Sequence, residues 1–319
     1  MPRAFDPELL AALGGILALL IVATVVAAVL TRRAASESAR ATLANASARI
    51  RAWWAMAAIF AVATAFKPYG SIVLFALLSF LALREFVTLT PTRGGDRATL
   101  LAAFFVVLPV QYYLLAIGWY GLFAIFVPVY GFLLVPILSA LAGDTERFLE
   151  RTAKIQWGLM VSVYCVSHAP ALLILELPGF EGESAKLLLF LVVVVQLSDV
   201  FQYLWGKTLG RRKIAPSVSP NKTWEGFLGG VGTATALGAG LWWLTPYSPR
   251  AAAAMALVAC LLGFAGGLVM SAIKRDRGVK DYGELLPGHG GILDRMDAML
   301  YAAPVLLLLL RVCGYEAVW

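Results

Sequence analysis

Long apolar segments are the feature that most constrains the fold of this chain. Residues 9–30 contain no charged side chain, and a helix of that length crosses the roughly 30 Å hydrocarbon core of a bilayer. Only 14% of all residues are charged, against about 25% in soluble domains. The sequence therefore predicts an all-α, polytopic membrane helix bundle with about ten transmembrane segments, and at least eight. The ten apolar segments are residues 9–30, 52–66, 69–83, 99–115, 119–141, 155–176, 186–205, 227–244, 252–272 and 299–313.

The second and third segments are short for complete membrane spans. They are separated by Lys67 and Pro68, and proline interrupts a regular helix because it has no backbone N–H to donate. We therefore expect either two short spans or a re-entrant hairpin that turns at these residues. Removing the pair would leave the sidedness of every later segment unchanged.

Basic residues are concentrated in every second connection between the apolar segments. Of the 26 Lys and Arg residues, 21 lie in the connections 31–51, 84–98, 142–154, 206–226 and 273–298. The positive-inside rule places these five connections in the cytoplasm. Both long charged loops near the C-terminus, 206–226 and 273–298, then face the same compartment. The net charge of +7 follows from this topology and requires no nucleic-acid partner.

Asp199 stands inside a segment that is otherwise apolar on its N-terminal side. An ionised carboxylate at membrane depth costs several kcal/mol unless it is paired or hydrated. Gln196, Ser198, Gln202 and Tyr203 lie within about one helical turn of it. This pattern favours a polar cavity around Asp199, and a purely structural hydrogen bond between helices is the alternative.

The segment Ser219–Thr223, "SPNKT", leads into a glycine-rich helix. Helix N-termini attract phosphates through free N–H groups and a positive dipole end, so Lys222 and this turn are expected to form a phosphate cradle. The neighbouring Arg211, Arg212 and Lys213 are explained as ordinary cytoplasmic charges. The helix glycines are explained by close packing against a neighbouring helix, and they are Gly229, Gly230, Gly232, Gly238 and Gly240.

The loop 273–298 carries ten charged residues between Lys274 and Asp297. Glycines recur at positions 278, 283, 288, 290 and 291 and flank His289, which lets the backbone approach a ligand closely. Asp294 and Asp297 are three residues apart and share one face of a helix. Carboxylates in this arrangement suit Mg²⁺. A solvated connector with simple helix capping is the alternative.

These motifs resemble the signature of the phosphatidate cytidylyltransferase family, the CDP-diacylglycerol synthases. The matching residues in the second loop are Ser271, Lys274-Arg275, Lys280-Asp281, His289-Gly290-Gly291 and Asp294-Arg295-Met296-Asp297. The matching residues in the first loop are Asp199, Tyr203, Gly206, Lys207, Gly210, Lys213, Pro216, Ser219, Pro220, Lys222, Thr223, Glu225, Gly226, Gly229 and Gly230. This sequence departs from the pattern at Gly267, where the family often carries an acidic residue, and this leaves open whether one or two metal ions bind.

The resemblance implies a Mg²⁺-dependent enzyme that joins CTP and phosphatidic acid to give CDP-diacylglycerol and pyrophosphate. The implied metal ligands are Asp294, Asp297 and Asp281. The residues expected to act in catalysis are Asp294, His289, Asp281, Asp297 and Lys280. The residues expected to bind substrate are Lys207, Ser219, Lys222, Ser271, Lys274, Arg275, Arg295, Asp199 and Tyr203. We expect Asp294→Ala to abolish turnover and to leave folding intact.

The resemblance covers about residues 198–299, so we divide the chain into two regions. Residues 1–180 form N-terminal membrane helices for lipid access, dimerisation or regulation, and residues 181–319 form the catalytic membrane region. The implied partners are CTP, phosphatidic acid, membrane lipids and a second copy in a homodimer, at a bacterial inner membrane with cytoplasmic catalytic loops. The alternatives are a transporter that uses intramembrane Asp199 and another CTP-dependent lipid nucleotidyltransferase or kinase.

Overall fold

A computed structural model describes residues 7–33, 36–285 and 290–316 of the chain. Ten helices within these residues correspond to the ten predicted apolar segments, which confirms the all-α membrane bundle. The helices are α1 (Pro7–Arg33), α2 (Glu37–Ala65), α3 (Lys67–Leu89), α4 (Gly94–Ala116), α5 (Tyr120–Leu141), α6 (Phe148–Ile174), α7 (Ala185–Leu209), α8 (Trp224–Gly240), α9 (Pro249–Asp276) and α10 (Ile292–Glu316).

Three of these helices are irregular. Each contains a π-helical stretch: Ala103–Val107 in α4, Phe126–Gly131 in α5 and Met160–Cys165 in α6. Pro109 follows the first stretch closely and Pro128 lies inside the second. Proline cannot donate the usual i→i−4 hydrogen bond, so a wider turn at these two places accommodates it.

Seven of the helices in the described ranges are long and apolar enough to cross a membrane: α1, α3, α4, α5, α6, α7 and α9. The expectation that the third segment is short is wrong, because residues 68–89 of α3 form a candidate span of 22 residues. The chain turns at Phe66 between α2 and α3. Since α3 is long enough to cross the bilayer alone, its length does not require the re-entrant hairpin.

A β-hairpin interrupts the helical pattern in the first charged loop. Strand β1 (Lys213–Ala215) pairs antiparallel with β2 (Ser219–Thr223), with Lys213 opposite Thr223 and Ala215 opposite Ser219. The sequence analysis placed no strand in this loop. The hairpin shortens the loop and ends directly at the first residue of α8, so it fixes where Lys222 leaves the backbone.

The glycines of α8 allow its backbone to approach α7 and α9, as predicted, at three of five positions. A Cβ atom added at Gly230 would lie 2.5 Å from the backbone nitrogen of Gln202, and one at Gly229 would lie 2.7 Å from the Trp205 ring. A Cβ atom at Gly238 would lie 2.3 Å from the Cβ atom of Ala256. The packing explanation is wrong for Gly232 and Gly240, whose added Cβ atoms meet open space.

Contacts between loops show which ends of the helices lie together. Arg275 Nε, at the end of α9, donates to the carbonyl oxygen of Val218 in the β-hairpin at 3.3 Å. Arg93, in the 84–98 connection, pairs with Asp144 in the 142–154 connection at 3.1 Å. The first turn of α10 contacts the end of α3 through hydrogen bonds to Glu85. Four of the five Lys- and Arg-rich connections therefore gather at one end of the bundle.

Candidate functional site

The charged residues of both loops converge on the first turns of α10. They form two adjacent groups within the described residues. The first, the Asp294 cluster, consists of Asp294, Lys274, Tyr282 and Gly291. The second, the Lys222 crevice, consists of Lys222, Asp199, Asp297 and Arg295.

The Asp294 cluster holds the second loop against the helix start. Asp294 Oδ1 accepts a hydrogen bond from Lys274 Nζ at 2.7 Å, and both side chains are buried. Asp294 Oδ2 accepts from the backbone N–H groups of Tyr282 at 2.7 Å and Gly291 at 2.9 Å. Charge-assisted hydrogen bonds of this kind are strong. In this arrangement both carboxylate oxygens of Asp294 are already engaged by protein donors.

The Tyr282 side chain connects the same cluster to α9. It is 3% exposed, and its hydroxyl donates to the carbonyl oxygen of Met270 in α9 at 3.0 Å. Lys274 Nζ lies 5.5 Å from the centre of its ring, within the range of a cation–π contact. The loop residues 277–285 are therefore fixed to α9 as well as to α10.

The Lys222 crevice brings opposite charges together at the membrane end of the site. Lys222 leaves β2 and passes over the ring of Phe264, with Nζ 4.3 Å from its centre. The Asp199 charge interacts with Asp297, Lys222 and Arg295. Asp199 is exposed, so the crevice is open to solvent on that side.

Lys222 is the charged centre of the crevice. Burial lowers the pKa of its ammonium, while the carboxylates of Asp199 and Asp297 oppose that shift and the nearby Lys274 reinforces it. Burial disfavours the charged form because it removes water from the ion. A lysine in such surroundings gains stability when an anion approaches it.

Gly267 leaves the space that Lys222 occupies. A Cβ atom added at Gly267 would lie 3.2 Å from Lys222 Nζ and 3.7 Å from Asp297 Oδ2. Position 267, where the resemblance to the family pattern led us to expect an acid, therefore faces the crevice directly. In this chain the Lys222 ammonium lies next to Gly267 and near the carboxylates of Asp199 and Asp297. An acidic side chain at position 267 would reach the same space.

The N-terminus of α8 is capped by the protein itself. Thr223 Oγ1 accepts a hydrogen bond from the Gly226 N–H at 3.1 Å, as an N-cap residue does. The Glu225 carboxylate accepts from the backbone N–H groups of Arg211 at 3.0 Å and Arg212 at 3.2 Å. The Lys222 side chain extends to α9, where Nζ lies 4.3 Å from the centre of the Phe264 ring, and the phosphate cradle predicted from "SPNKT" stays a prediction.

The remaining predicted residues lie around the two groups. Arg275 bridges the loops and also donates through Nη1 to Val279 O at 3.0 Å. Ser271 donates to Gly267 O at 2.7 Å within α9. Ser219 lies in β2 opposite Ala215 and is half-buried. Lys207 Nζ lies 5.8 Å from the centre of the Tyr203 ring, and both of these residues are exposed. Lys280 and Asp281 are exposed, and His289 lies outside the described residues.

Sequence reasoning missed Glu85. This residue of α3 is 9% exposed, and its carboxylate accepts hydrogen bonds from the N–H groups of Ile292 and Leu293, both at 2.9 Å. The only signal in the sequence is a single acid directly after an apolar segment. That pattern is ordinary at a membrane boundary, so nothing local connects Glu85 with a loop 200 residues away.

The fit of Mg²⁺ to these residues depends on which aspartates are available. In the part of the chain that the structure describes, no group of three or more His, Cys, Asp or Glu side chains is placed to hold a metal ion. Both carboxylate oxygens of Asp294 accept hydrogen bonds from protein donors, and Asp281 is exposed. Asp297 and Asp199 share the crevice. Two carboxylates fit Mg²⁺ when substrate phosphates and water complete its coordination.

Arg295 adds a donor to the crevice. Its Nε is buried and has no hydrogen-bond partner among the described residues. A buried donor without a partner costs free energy, and a phosphate oxygen or a water molecule in the crevice would satisfy it. The donor set of the crevice therefore suits an anion together with a divalent cation.

Comparison with known proteins places these residues in a family. The cytidylyltransferase family matches residues 47–313. The chain is 41% identical over 270 residues to an Escherichia coli (strain K12) protein named "Uncharacterized protein YnbB", which covers 84% of this chain and 88% of the relative. It is 33% identical over 247 residues to the phosphatidate cytidylyltransferase of Bacillus subtilis (strain 168), which covers 76% of this chain and 85% of that enzyme.

A shorter similarity covers part of a further relative. The chain is 35% identical over 162 residues to the phosphatidate cytidylyltransferase of Staphylococcus aureus (strain COL). This alignment covers 50% of the chain and 62% of that enzyme, less than two thirds of its length.

Proposed function

The chain belongs to the cytidylyltransferase family, and from that premise we propose that it transfers the cytidylyl group of CTP to phosphatidic acid. The products are CDP-diacylglycerol and pyrophosphate. The chain is a multi-pass membrane nucleotidyltransferase. The proposal adds the two substrates, a bacterial inner membrane as the location and a cytoplasmic position for the gathered loops.

The Lys222 crevice is the observation that carries this proposal. It combines a partly desolvated ammonium, an unsatisfied guanidinium nitrogen of Arg295 and two carboxylates at the end of the bundle where both charged loops meet. One substrate is a lipid whose phosphate lies at the membrane surface, and the other is a soluble nucleotide. A site at the boundary between membrane helices and a loop surface is where these two substrates meet.

The reaction needs charge neutralisation more than it needs a base. A phosphatidate oxygen is already an anion, and it attacks the α-phosphorus of CTP. The new P–O bond forms as the bond from the α-phosphorus to the bridging oxygen breaks, and the electron pair leaves with pyrophosphate. Fixed positive groups stabilise the charge that develops on the leaving group. We assign this role to Lys222 and Arg295, whose positive charges lie in the crevice.

The residues around the crevice have supporting roles in this proposal. Arg275 holds the β-hairpin against α9, so the two loops act as one surface. Lys274 and Asp294 fix the second loop, and exposed Lys207 and Lys280 supply positive charge near the entrance to the crevice. His289 remains proposed as a donor to the leaving pyrophosphate.

Asp199 and Asp297 are the carboxylates we propose as Mg²⁺ ligands, in place of a set centred on Asp294. A bound Mg²⁺ would neutralise the triphosphate and polarise its phosphorus–oxygen bonds. The two carboxylates already offset the charges of Lys222 and Arg295. They therefore keep the empty crevice close to neutral and prevent it from holding a simple anion tightly.

Two labels on CTP test the proposal against its nearest rivals. Purified protein in detergent is incubated with Mg²⁺, phosphatidic acid and CTP labelled on either the α- or the γ-phosphorus. We expect α-label in the lipid product and γ-label in pyrophosphate. A lipid kinase would instead place the γ-label on the lipid, and a transporter would label no lipid at all. Either result would exclude the proposed reaction.

A pair of basic variants controls this assay. Lys222→Met should abolish transfer of the α-label, because it removes the central positive charge of the crevice. Arg250→Met changes an exposed basic residue at the start of α9, the end opposite Arg275, and it should leave transfer unchanged. Equal activity of the two variants would contradict the assignment of Lys222.

A further inference from the structure

We propose that Glu85, a residue of the N-terminal membrane helices, is a positioning residue of the transferase site because it caps the helix that carries Asp297 and Arg295. This inference rests on the proposed function for its activity readout. Its structural part stands alone, because the capping contacts are made whether or not the substrates are those proposed.

The contacts of Glu85 are those of a two-oxygen helix cap. Oε1 accepts from the Ile292 N–H and Oε2 from the Leu293 N–H, both at 2.9 Å. The first N–H groups of a helix have no partner inside it, and a negative charge there also favours the helix dipole. The usual cap comes from the residue just before the helix. In α10 it comes from another membrane helix more than 200 residues earlier.

Two glycines are fitted around this carboxylate. A Cβ atom added at Gly291 would lie 2.3 Å from Glu85 Oε2, and one added at Gly283 would lie 2.9 Å from Oε1. In both cases the three nearest atoms all belong to Glu85. Glu85 therefore explains why neither position accepts a side chain, and both glycines pack against the same carboxylate.

Glu85 is itself held rigidly. Its neighbours Leu83 and Phe86 are 0% and 3% exposed, and a Cβ atom added at Gly158 of α6 would lie 2.8 Å from the Phe86 ring. The carboxylate therefore transmits the position of α3 to the first turn of α10. One further turn along α10 lies Asp297, so a change in the cap changes the placement of the crevice carboxylate.

Hydrogen–deuterium exchange tests the cap without any substrate. In Glu85→Gln the side chain keeps its volume but loses its charge, and its NH₂ group faces one of the two N–H donors. We expect the amides of Ile292 and Leu293 to exchange roughly ten- to hundredfold faster, with little change in α3 or α6. Arg84→Gln, an exposed change on the preceding residue, is the matched control and should exchange like the wild type.

Kinetics test whether the cap positions the site. Misplacing a reacting group by about 1 Å can cost about a hundredfold in rate, so we expect Glu85→Gln to lower kcat by about ten- to hundredfold. The KM for CTP and the midpoint of thermal unfolding should change little. A variant that unfolds more easily but keeps the kcat of the wild type per folded molecule would show a merely structural role and overturn the proposal.

A second substitution makes the test independent of folding yield. Gly291→Ala should reduce kcat in the wild-type background because its methyl group meets Glu85. In the Glu85→Ala background the same change should cost nothing more, since the clashing atoms are gone. Equal costs in both backgrounds would refute the proposed contact. If the wild type forms no CDP-lipid, the proposed function fails, whereas unchanged amide exchange in Glu85→Gln would refute the cap.

Discussion

Replacing Asp294 and Asp297 one at a time separates a structural carboxylate from one that serves the reaction. Both belong to the same motif, three residues apart on α10. Asp294 is 5% exposed and accepts three hydrogen bonds from protein donors. Among the residues that the structure describes, Asp297 accepts one, from the N–H of the next residue, Ala298, and faces the crevice.

The expected difference in stability follows from these contacts. Asp294→Ala breaks a buried ion pair and leaves the Lys274 ammonium without its partner, which costs about 3–5 kcal/mol in unfolding free energy. Asp297→Ala removes one partly buried hydrogen bond, which costs about 1 kcal/mol. The sequence-based prediction is that Asp294→Ala leaves folding intact, and from these contacts we now expect a large loss of stability instead.

Urea unfolding in detergent, followed by tryptophan fluorescence, measures this difference, and the CTP assay on the same samples measures turnover. We expect Asp294→Ala to unfold at a much lower urea concentration. Asp297→Ala should unfold near the wild-type midpoint and be inactive. Asp276→Ala, which changes an exposed residue at the end of α9, controls for removing a carboxylate. An inactive Asp294→Ala protein with wild-type stability would show that Asp294 serves the reaction directly and would refute the structural reading.

Four further substitutions and one calorimetric titration test the remaining parts of the site and the packing of α8. Because burial lowers the pKa of Lys222, activity that needs its charge should fall as pH rises through that lowered pKa. Lys222→Arg should shift this alkaline limb of the kcat/KM profile to higher pH. An unmoved limb would show that the limb does not report the charge of Lys222. Gly267→Asp adds a carboxylate facing the crevice, so the Mg²⁺ concentration for half-maximal activity should fall; a rise or no change would contradict this placement. Gly230→Ala should destabilise the protein, because the added methyl group clashes with Gln202. Gly232→Ala, whose methyl group meets open space, should stabilise the protein by up to about 1 kcal/mol. Equal effects of the two substitutions on the unfolding midpoint would contradict the α7–α8 contact. Calorimetry should detect Mg²⁺ binding only when CTP is present, and tight binding of Mg²⁺ alone would show a preformed metal site.

The membrane helices were predictable because each one needs only a continuous apolar segment. Chain composition alone decides that property, and all ten segments are helical in the structure. The ends were less predictable, since α3 continues past Arg84 and Glu85 to Leu89. Charged residues at a membrane boundary remain compatible with helix, so hydropathy underestimates the length of the span.

The site was predictable as a set of residues but not as an arrangement. Spacing indicated that Asp294 and Asp297 share a helix face, yet the two carboxylates contact different groups. Asp294 points to backbone amides of its own loop, and Asp297 points to the crevice. The capping role of Glu85 depends on how α3 packs against α10, and no local pattern encodes a contact across 200 residues.

The charges of the crevice suit the two anionic substrates that we propose. Lys222 and Arg295 are offset by Asp199 and Asp297, so the crevice carries no large net charge on its own. Two polyanions would therefore gain little by binding there without an accompanying cation. When a nucleotide brings a divalent cation, the carboxylates gain a partner, and Lys222 and Arg295 become available to the phosphates. Gly267 supplies no third acid in this chain, so the proposed cation would depend more strongly on the phosphates of its own nucleotide for ligands.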